Sequence, residues 1–440
     1  MRVDTLIRGG IVVTPDGMAR QADLGIADGV IAAVGPELSG PADQEVDATG
    51  LHVLPGLIDA HVHFNDPGRD HWEGIASGSA ALAAGGGTCF VDMPLNSSPP
   101  TLDGPSFDAK LARARAHSRT DFAFYGGLTP VNLDHMEELA ERGVVGYKAF
   151  MCPSGIDDFQ WSDDDTLLRG MEIAARLDLP VLLHAESAAI TGAETRRVRE
   201  AGRSDVRAFL ESRPVIAELE AINRALLYAE ETGCRVHIVH VSNRRGVELV
   251  RRAAAKDWVD ASCETCPHYL MLTGEDMAAI GPAAKCAPPL RDEATRGELL
   301  RALIAGEIDT VGSDHSPAPA EMKEGSTFLE AWGGIAGVQT TLRTLMSLDV
   351  PPARIADVTA HAPARRFRLS GKQGITPGAD ADLTLVDTGS SSVLTRDELR
   401  DRHRMNPLVG RPLTGSIRGV YLRGRPIGDD TRGRLITPAR

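Results

Sequence analysis

From residue 57 onward the sequence alternates short apolar segments with longer helical ones, and the alternation repeats eight times. The apolar segments are 57–63, Thr88–Met93, Phe122–Leu128, Val144–Phe150, Pro180–His184, Arg235–Val241, Val259–Glu264 and Ile308–Gly312. Between them lie Gly74–Ala84, Asp134–Arg142, Asp163–Leu177, Ile216–Glu231 and Ala294–Ala305, all of helical composition. Parallel strands need crossover connections, and helices supply them. Eight such units predict an α/β fold, a (β/α)8 TIM-like barrel with its functional residues at the C-terminal strand ends. The competing architecture, an open doubly wound sheet, needs a glycine fingerprint leaving a strand. Here Ala84-Gly85-Gly86-Gly87-Thr88 enters one instead.

The ends of the chain have a different texture. Asp4–Gly10, Ile11–Thr14, Ala22–Ile26 and Ile31–Gly35 read as short strands separated by turns such as Pro15-Asp16-Gly17. After a helix at 353–369 and a turn-rich junction at 374–382, Leu383–Asp387 and Gly419–Gly424 return to strand texture. We therefore expect residues 1–54 and 371–440 to form one discontinuous β-sandwich domain, and residues 55–370 the barrel. At 440 residues the chain has room for both.

A net charge of −14 without a lysine/arginine-rich block argues against nucleic acid or an anionic membrane as partner. No apolar run reaches the length of a membrane span, and Met1–Leu6 does not read as a secretory signal. Six cysteines without framework spacing suit reduced thiols in a cytoplasmic protein, and Cys263-Glu264-Thr265-Cys266 lacks the second pair of a zinc ribbon.

Strand ends are where chemistry is sought. In Asp59-Ala60-His61-Val62-His63 the histidines are two apart, so on a strand they share a face and reach one metal ion. Alone, the pair equally suits core or surface histidines. The fifth segment ends in His184 and the sixth in His240, with His237 placed to pack. The eighth runs into Ser313-Asp314-His315, where an aspartate can ligate a metal and shuttle a proton. In Tyr147-Lys148-Ala149-Phe150 a lysine on an inner strand is costly as a buried ammonium. Two readings of it stand side by side: an ion-paired or snorkelling lysine, or a neutral amine that has captured CO2 as a bridging carbamate. His61, His63, Lys148, His184, His240 and Asp314 supply nitrogen and oxygen donors without thiolate, a set suited to zinc or a similar ion. With a carbamate the set suits two divalent ions, His61, His63 and Asp314 on one and His184 and His240 on the other. A hydroxide between them is then the expected nucleophile.

Taken together, Pro55-Gly56, Asp59–His63, Tyr147–Phe150, His184-Ala185-Glu186, His240-Val241-Ser242 and Ser313–Pro317 resemble the cyclic amidohydrolases, which include dihydroorotases, hydantoinases and allantoinases. The resemblance covers nearly the whole chain, and it implies a carboxylated Lys148 bridging two metals. It also separates the branches. The dihydroorotase arginine slot after His-x-His holds Asn65, and the asparagine slot before Pro288-Pro289-Leu290-Arg291 holds Ala287. Pro153 stands where hydantoinases carry a tyrosine. Asp66–Gly74, Ser212-Arg213-Pro214, Cys263–Tyr269, Ala284-Lys285-Cys286, Pro319–Lys323 and Ala331–Gly337 resemble the allantoinase branch, with Ala287 in place of the serine expected there.

The resemblance implies hydrolysis of the hydantoin-ring amide of allantoin to allantoate, with Asp314 as the catalytic proton shuttle. Backbone near Cys286, Ala287 and Gly333 is expected to hold the ring edge. Asn96 and His315 are further candidate substrate contacts, a purely structural place being the alternative for each. Zinc is the expected metal, with cobalt, manganese, nickel or iron as substitutes, and a homotetramer or dimer the expected assembly. The alternatives are a hydantoinase or dihydropyrimidinase acting on 5-monosubstituted hydantoins, and a non-catalytic scaffold on the same fold.

Overall fold

The computed structural model describes residues 2–324 and 327–439. Parallel strands Leu57–Val62, Gly87–Asp92, Asp121–Phe124, Tyr147–Phe150, Val181–His184, Val236–Ile238, Ala261–Thr265 and Thr310–Val311 follow one another around a ring. A short continuation of the third strand, Gly126–Gly127, passes the pairing on to the fourth. The ring closes where the His63 N–H donates to the His315 carbonyl at 2.8 Å and Val62 bridges His315. This is the expected (β/α)8 barrel.

Side chains alternate along these strands with period two. Ile58, Val91, Ala123, Tyr125, Val145 and Leu182 gather in one buried cluster with Phe367, while Phe90, Phe122, Phe124, Tyr147 and Leu183 belong to the larger core that includes the helices. The helical segments appear close to their expected bounds, for example Asp164–Arg176 and Val215–Thr232. Two helices that the sequence reading did not pick out, Ala188–Glu200 and Val206–Ser212, fill the long fifth crossover. The closing helix widens into a π turn at Asp357–His361. Pro363 follows it: its missing N–H and its ring cannot fit an α-turn against the Thr359 carbonyl.

The strands of both chain ends pair in one continuous eight-stranded sheet. Val3–Val13 pairs antiparallel with Ala19–Ala27 along one edge. Its other edge pairs first with Ala42–Asp47 and then with His52–Pro55. The changeover falls near Gly10, where an added Cβ would come within 2.5 Å of Val53. His52–Pro55 takes Leu383–Val393 as its next neighbour and so brings Pro412–Leu422 into the sheet. The sandwich expected from the sequence thus arises from one sheet around its own core of Ile7, Leu24, Val53, Leu383 and Leu385.

A buried ion cluster pins this sheet to the barrel. Lys372 Nζ lies 2.7 Å from Asp121, 2.9 Å from Asp380 and 2.5 Å from Asp382. Asp121 opens the third barrel strand, so the anchor grips the N-terminal strand ends and leaves the opposite mouth free. All six cysteines are buried and free. Among the described residues no helix is long and apolar enough to cross a membrane.

Candidate active site

Six side chains converge on the C-terminal mouth of the barrel. His61 Nε2 and His63 Nε2 lie 3.2 and 3.4 Å from the same oxygen, Oδ1 of Asp314. The shared strand face brings the histidines together, and barrel closure brings the aspartate to them. Across the mouth, His184 Nδ1 is 3.0 Å from His240 Nε2. His240 does not ride on the sixth strand, which stops at Ile238. It sits beyond it with φ +42°. Asn65, Asn96 and Asp314 adopt the same left-handed backbone, φ +62°, +67° and +46°. For residues with a Cβ such turns are strained, and here they re-aim side chains at strand ends.

Lys148 rises from the fourth strand into this ring. Its Nζ is fully buried, has no hydrogen-bond partner among the described residues, and lies 4.8 Å from the centre of the Phe150 ring. Burial pushes the amine down to about 8. Burial also pulls His61 down to about 4 and holds His63, His184 and His240 below the ordinary imidazole value. The rings therefore present neutral nitrogens. Asp314 is only half-buried, its side chain 14% exposed; desolvation opposes ionisation, yet the facing His61 and His63 rings hold its carboxyl well below the usual range.

Two glutamates behind the ring orient it. Glu264 Oε1 accepts from His61 Nδ1 at 2.7 Å, and Glu186 Oε2 accepts from His184 Nε2 at 2.8 Å, itself gripped by Arg213. Glu186, which the Arg213 charge holds down at about 2 despite burial, selects the His184 tautomer whose free nitrogen faces the cluster, whereas burial and the nearby Asp314 push Glu264 up to about 8. Asp59 Oδ1 accepts from the backbone N–H groups of His61 and Ser313, tying the first strand end to the eighth. Neutral imidazoles, an ionised carboxylate and an orphaned buried amine make a donor set that fits two divalent ions.

The sequence reading missed the glutamates. Glu186 follows the strand that ends at His184, two residues on, where its carboxylate meets the His184 ring; the adjacency in His184-Ala185-Glu186 was the available signal. Glu264 sits inside Cys263–Cys266, where the thiols drew the reading, although both are buried and inert.

Above the ring opens a cavity of about 310 Å3 whose floor is His61, His63, Lys148, His184, His240 and Asp314. Asn96, Cys286, Ala287 and Gly333 line it. Asn96 Nδ2 also lies 3.5 Å from His63 Nδ1. His315 does not line the cavity. Its chain direction, set by barrel closure, turns the ring back to within 3.5 Å of Glu73, so the expectation that it touches substrate is corrected to a supporting place behind His63. His237 packs as expected, with Nδ1 2.7 Å from Ser262 Oγ.

A sequence profile of the Amidohydrolase family matches residues 52–427. The chain is 52% identical to an allantoinase of Rubrobacter xylanophilus, over 99% of this chain and 98% of that protein. It is 50% identical to an allantoinase of Deinococcus radiodurans, over 100% and 99%. Among solved structures, an L-hydantoinase (dihydropyrimidinase) from Arthrobacter aurescens superposes with a TM-score of 0.95 at 32% identity, covering 99% of this chain and all of that one.

Proposed function

This chain belongs to the amidohydrolase family, and from that premise we infer that it is an allantoinase, hydrolysing the hydantoin-ring amide of allantoin to allantoate. The observation that carries the reading is identity of 52% and 50% to allantoinases along the full chain, against 32% to a hydantoinase of nearly identical fold. The departures at Asn65, Ala287 and Pro153 from the dihydroorotase and hydantoinase patterns point the same way.

The family implies a binuclear divalent metal centre. We assign one ion to His61, His63 and Asp314 and the other to His184 and His240, with Lys148 as a bridging carbamate. The unpartnered, easily neutralised amine of Lys148 supports that role, since only a free amine adds CO2. Zinc suits the all-nitrogen-and-oxygen donors, and cobalt, manganese, nickel or iron would serve the same set. When bound, the ions supply Lewis acidity at the scissile carbonyl and lower the pKa of water at the site.

The chain's own groups do the rest. Cavity walls at Asn96, Cys286, Ala287 and Gly333 hold the ring edge over the floor. Water oxygen adds to the ring carbonyl carbon, and Asp314 Oδ takes the proton released. The ring C–N bond then breaks as Asp314 returns that proton to the leaving nitrogen. Glu186 and Glu264 keep the imidazoles in register throughout. We place the barrel at 55–370 and the β domain at 1–54 and 371–440. We also propose a cytoplasmic homotetramer or dimer, the six free buried thiols supporting a reducing compartment.

The second reading, a hydantoinase, rests on the 0.95 TM-score to the Arthrobacter enzyme. Turnover of allantoin against 5-monosubstituted hydantoins, on protein expressed with bicarbonate and divalent metal, decides between them. A clear preference for the hydantoins overturns the allantoinase reading.

A further inference from the structure

Residues 329–334 form one wall of the cavity without belonging to a helix or strand, so their backbone carbonyls have no ladder to satisfy them. Two lysines do so instead. Lys285 Nζ donates to the carbonyls of Leu329 at 3.1 Å and Ala331 at 2.5 Å. Lys323 Nζ donates to Trp332 at 3.2 Å and Gly334 at 2.8 Å, and to Pro282 at 3.3 Å. Both lysines are only 5% exposed, and neither makes an ion pair among the described residues. Lys285 lies 4.7 Å from the ring centre of Phe209 and 5.5 Å from that of Phe328. Burial pushes Lys323 down to about 8, and burial with the like charges of Arg213 and Lys323 pushes Lys285 to about 7. Buried cations held by carbonyl dipoles alone are expensive. A wall that needed only to be closed off could be built from apolar side chains.

The peptide geometry indicates what the arrangement achieves. A trans peptide is planar, and its N–H points opposite to its C=O. With the Trp332 carbonyl drawn to Lys323, the N–H of Gly333 is turned the other way, on a residue that lines the cavity. Among the described residues that N–H finds no acceptor within the chain, whereas the N–H groups on either side are bonded, Trp332 to Met322 and Gly334 to Lys285. Gly334 is held close as well: with φ +144°, an added Cβ would stand 2.0 Å from the Ser316 carbonyl. We propose that Lys323, braced by Lys285, is a positioning residue that rotates the 332–333 peptide so that the Gly333 N–H is presented to a carbonyl oxygen of the cyclic ureide. The proposal rests on the cyclic-amide reading of the cavity and adds to it the device that aims one donor.

The test uses the metal-loaded full-length enzyme, comparing K323M and K285M with wild type in kcat, KM, metal content and Tm. K323M is expected to raise KM at least tenfold with kcat changed less than threefold and metal content unchanged. K285M should shift KM the same way by a smaller factor, and K323R, which restores a cationic donor, should recover part of the loss. A merely structural lysine would lower Tm and the active fraction without moving KM. Wild-type KM in folded K323M overturns the proposal. If K323M does not fold, K285M decides: an unchanged KM in folded K285M then overturns the proposal. Whether wild type hydrolyses allantoin at all tests the underlying reading separately. The KM ratio is measured with whichever cyclic ureide the wild type turns over.

Discussion

The carboxyl group of Glu264 lies 2.7 Å from Nδ1 of His61, with both side chains 1% exposed. That contact fixes the ring so that Nε2 faces Asp314. A glutamine there can still hydrogen-bond but no longer favours the same tautomer. Glu264→Gln is expected to weaken retention of the ion at His61 by about 10–100-fold. Metal stoichiometry after dialysis against a graded chelator series reads this directly, and unchanged retention would show that Glu264 merely fills space.

On the carbamate assignment, Lys148→Ala should lose metal and activity together. Short carboxylic acids added at millimolar level are expected to restore part of the rate. A variant that keeps full turnover without them would refute the carbamate assignment.

Asp314→Asn keeps the shape of the cavity and removes the proton acceptor. A fall in kcat of about 100- to 10,000-fold is expected, with smaller change in KM. Pre-steady-state measurement of product formation separates this from slow release.

Lys372 neutralises Asp121, Asp380 and Asp382, and those carboxylates hold its ammonium well above the ordinary lysine value. A raised lysine contributes stability that persists up to the unfolded value, about 10.4, so this group leaves wild-type stability flat between pH 5 and 7. Lys372→Met leaves the buried Asp382 without a cation, while Asp121 keeps Arg423 and Asp380 keeps Arg434, and should cost about 3–5 kcal/mol at pH 7. Burial already raises the Asp382 carboxyl, and without its cation it rises further, so the native state of the variant binds more protons than the unfolded one. The variant's Tm should therefore rise as pH drops from 7 toward 5, opposite to ordinary acid destabilisation. Thermal melts across that range check the sign.

The parts of the site that could be read from the sequence are those carried by local periodicity. His61 and His63 share a face because strands repeat every two residues, and His184 and Lys148 lie on strands of the same kind. His240 and Asp314 were also legible as strand-end residues, although each reaches the ring through a left-handed turn that no spacing rule encodes. His315 shows the limit: its neighbour points into the cavity, and the same turn sends its own ring toward Glu73. Lys285 and Lys323 were invisible as a pair, since their common target is a backbone segment with no pattern of its own. The β domain was legible in its strands but not in its pairing, because Val3–Val13 forks between Ala42–Asp47 and His52–Pro55, and His52–Pro55 pairs onward with Leu383–Val393, hundreds of residues away.

The hydrogen bond from His63 to the His315 carbonyl joins the first and last units of the barrel at the very place where the ligand ring is assembled. A nascent chain that has emerged only through its sixth strand already carries both histidine pairs and the lysine, yet it lacks the aspartate and the seam that brings the two pairs face to face. The six side chains therefore come together only when the first and last strands meet, so closing the barrel and assembling the site are a single event.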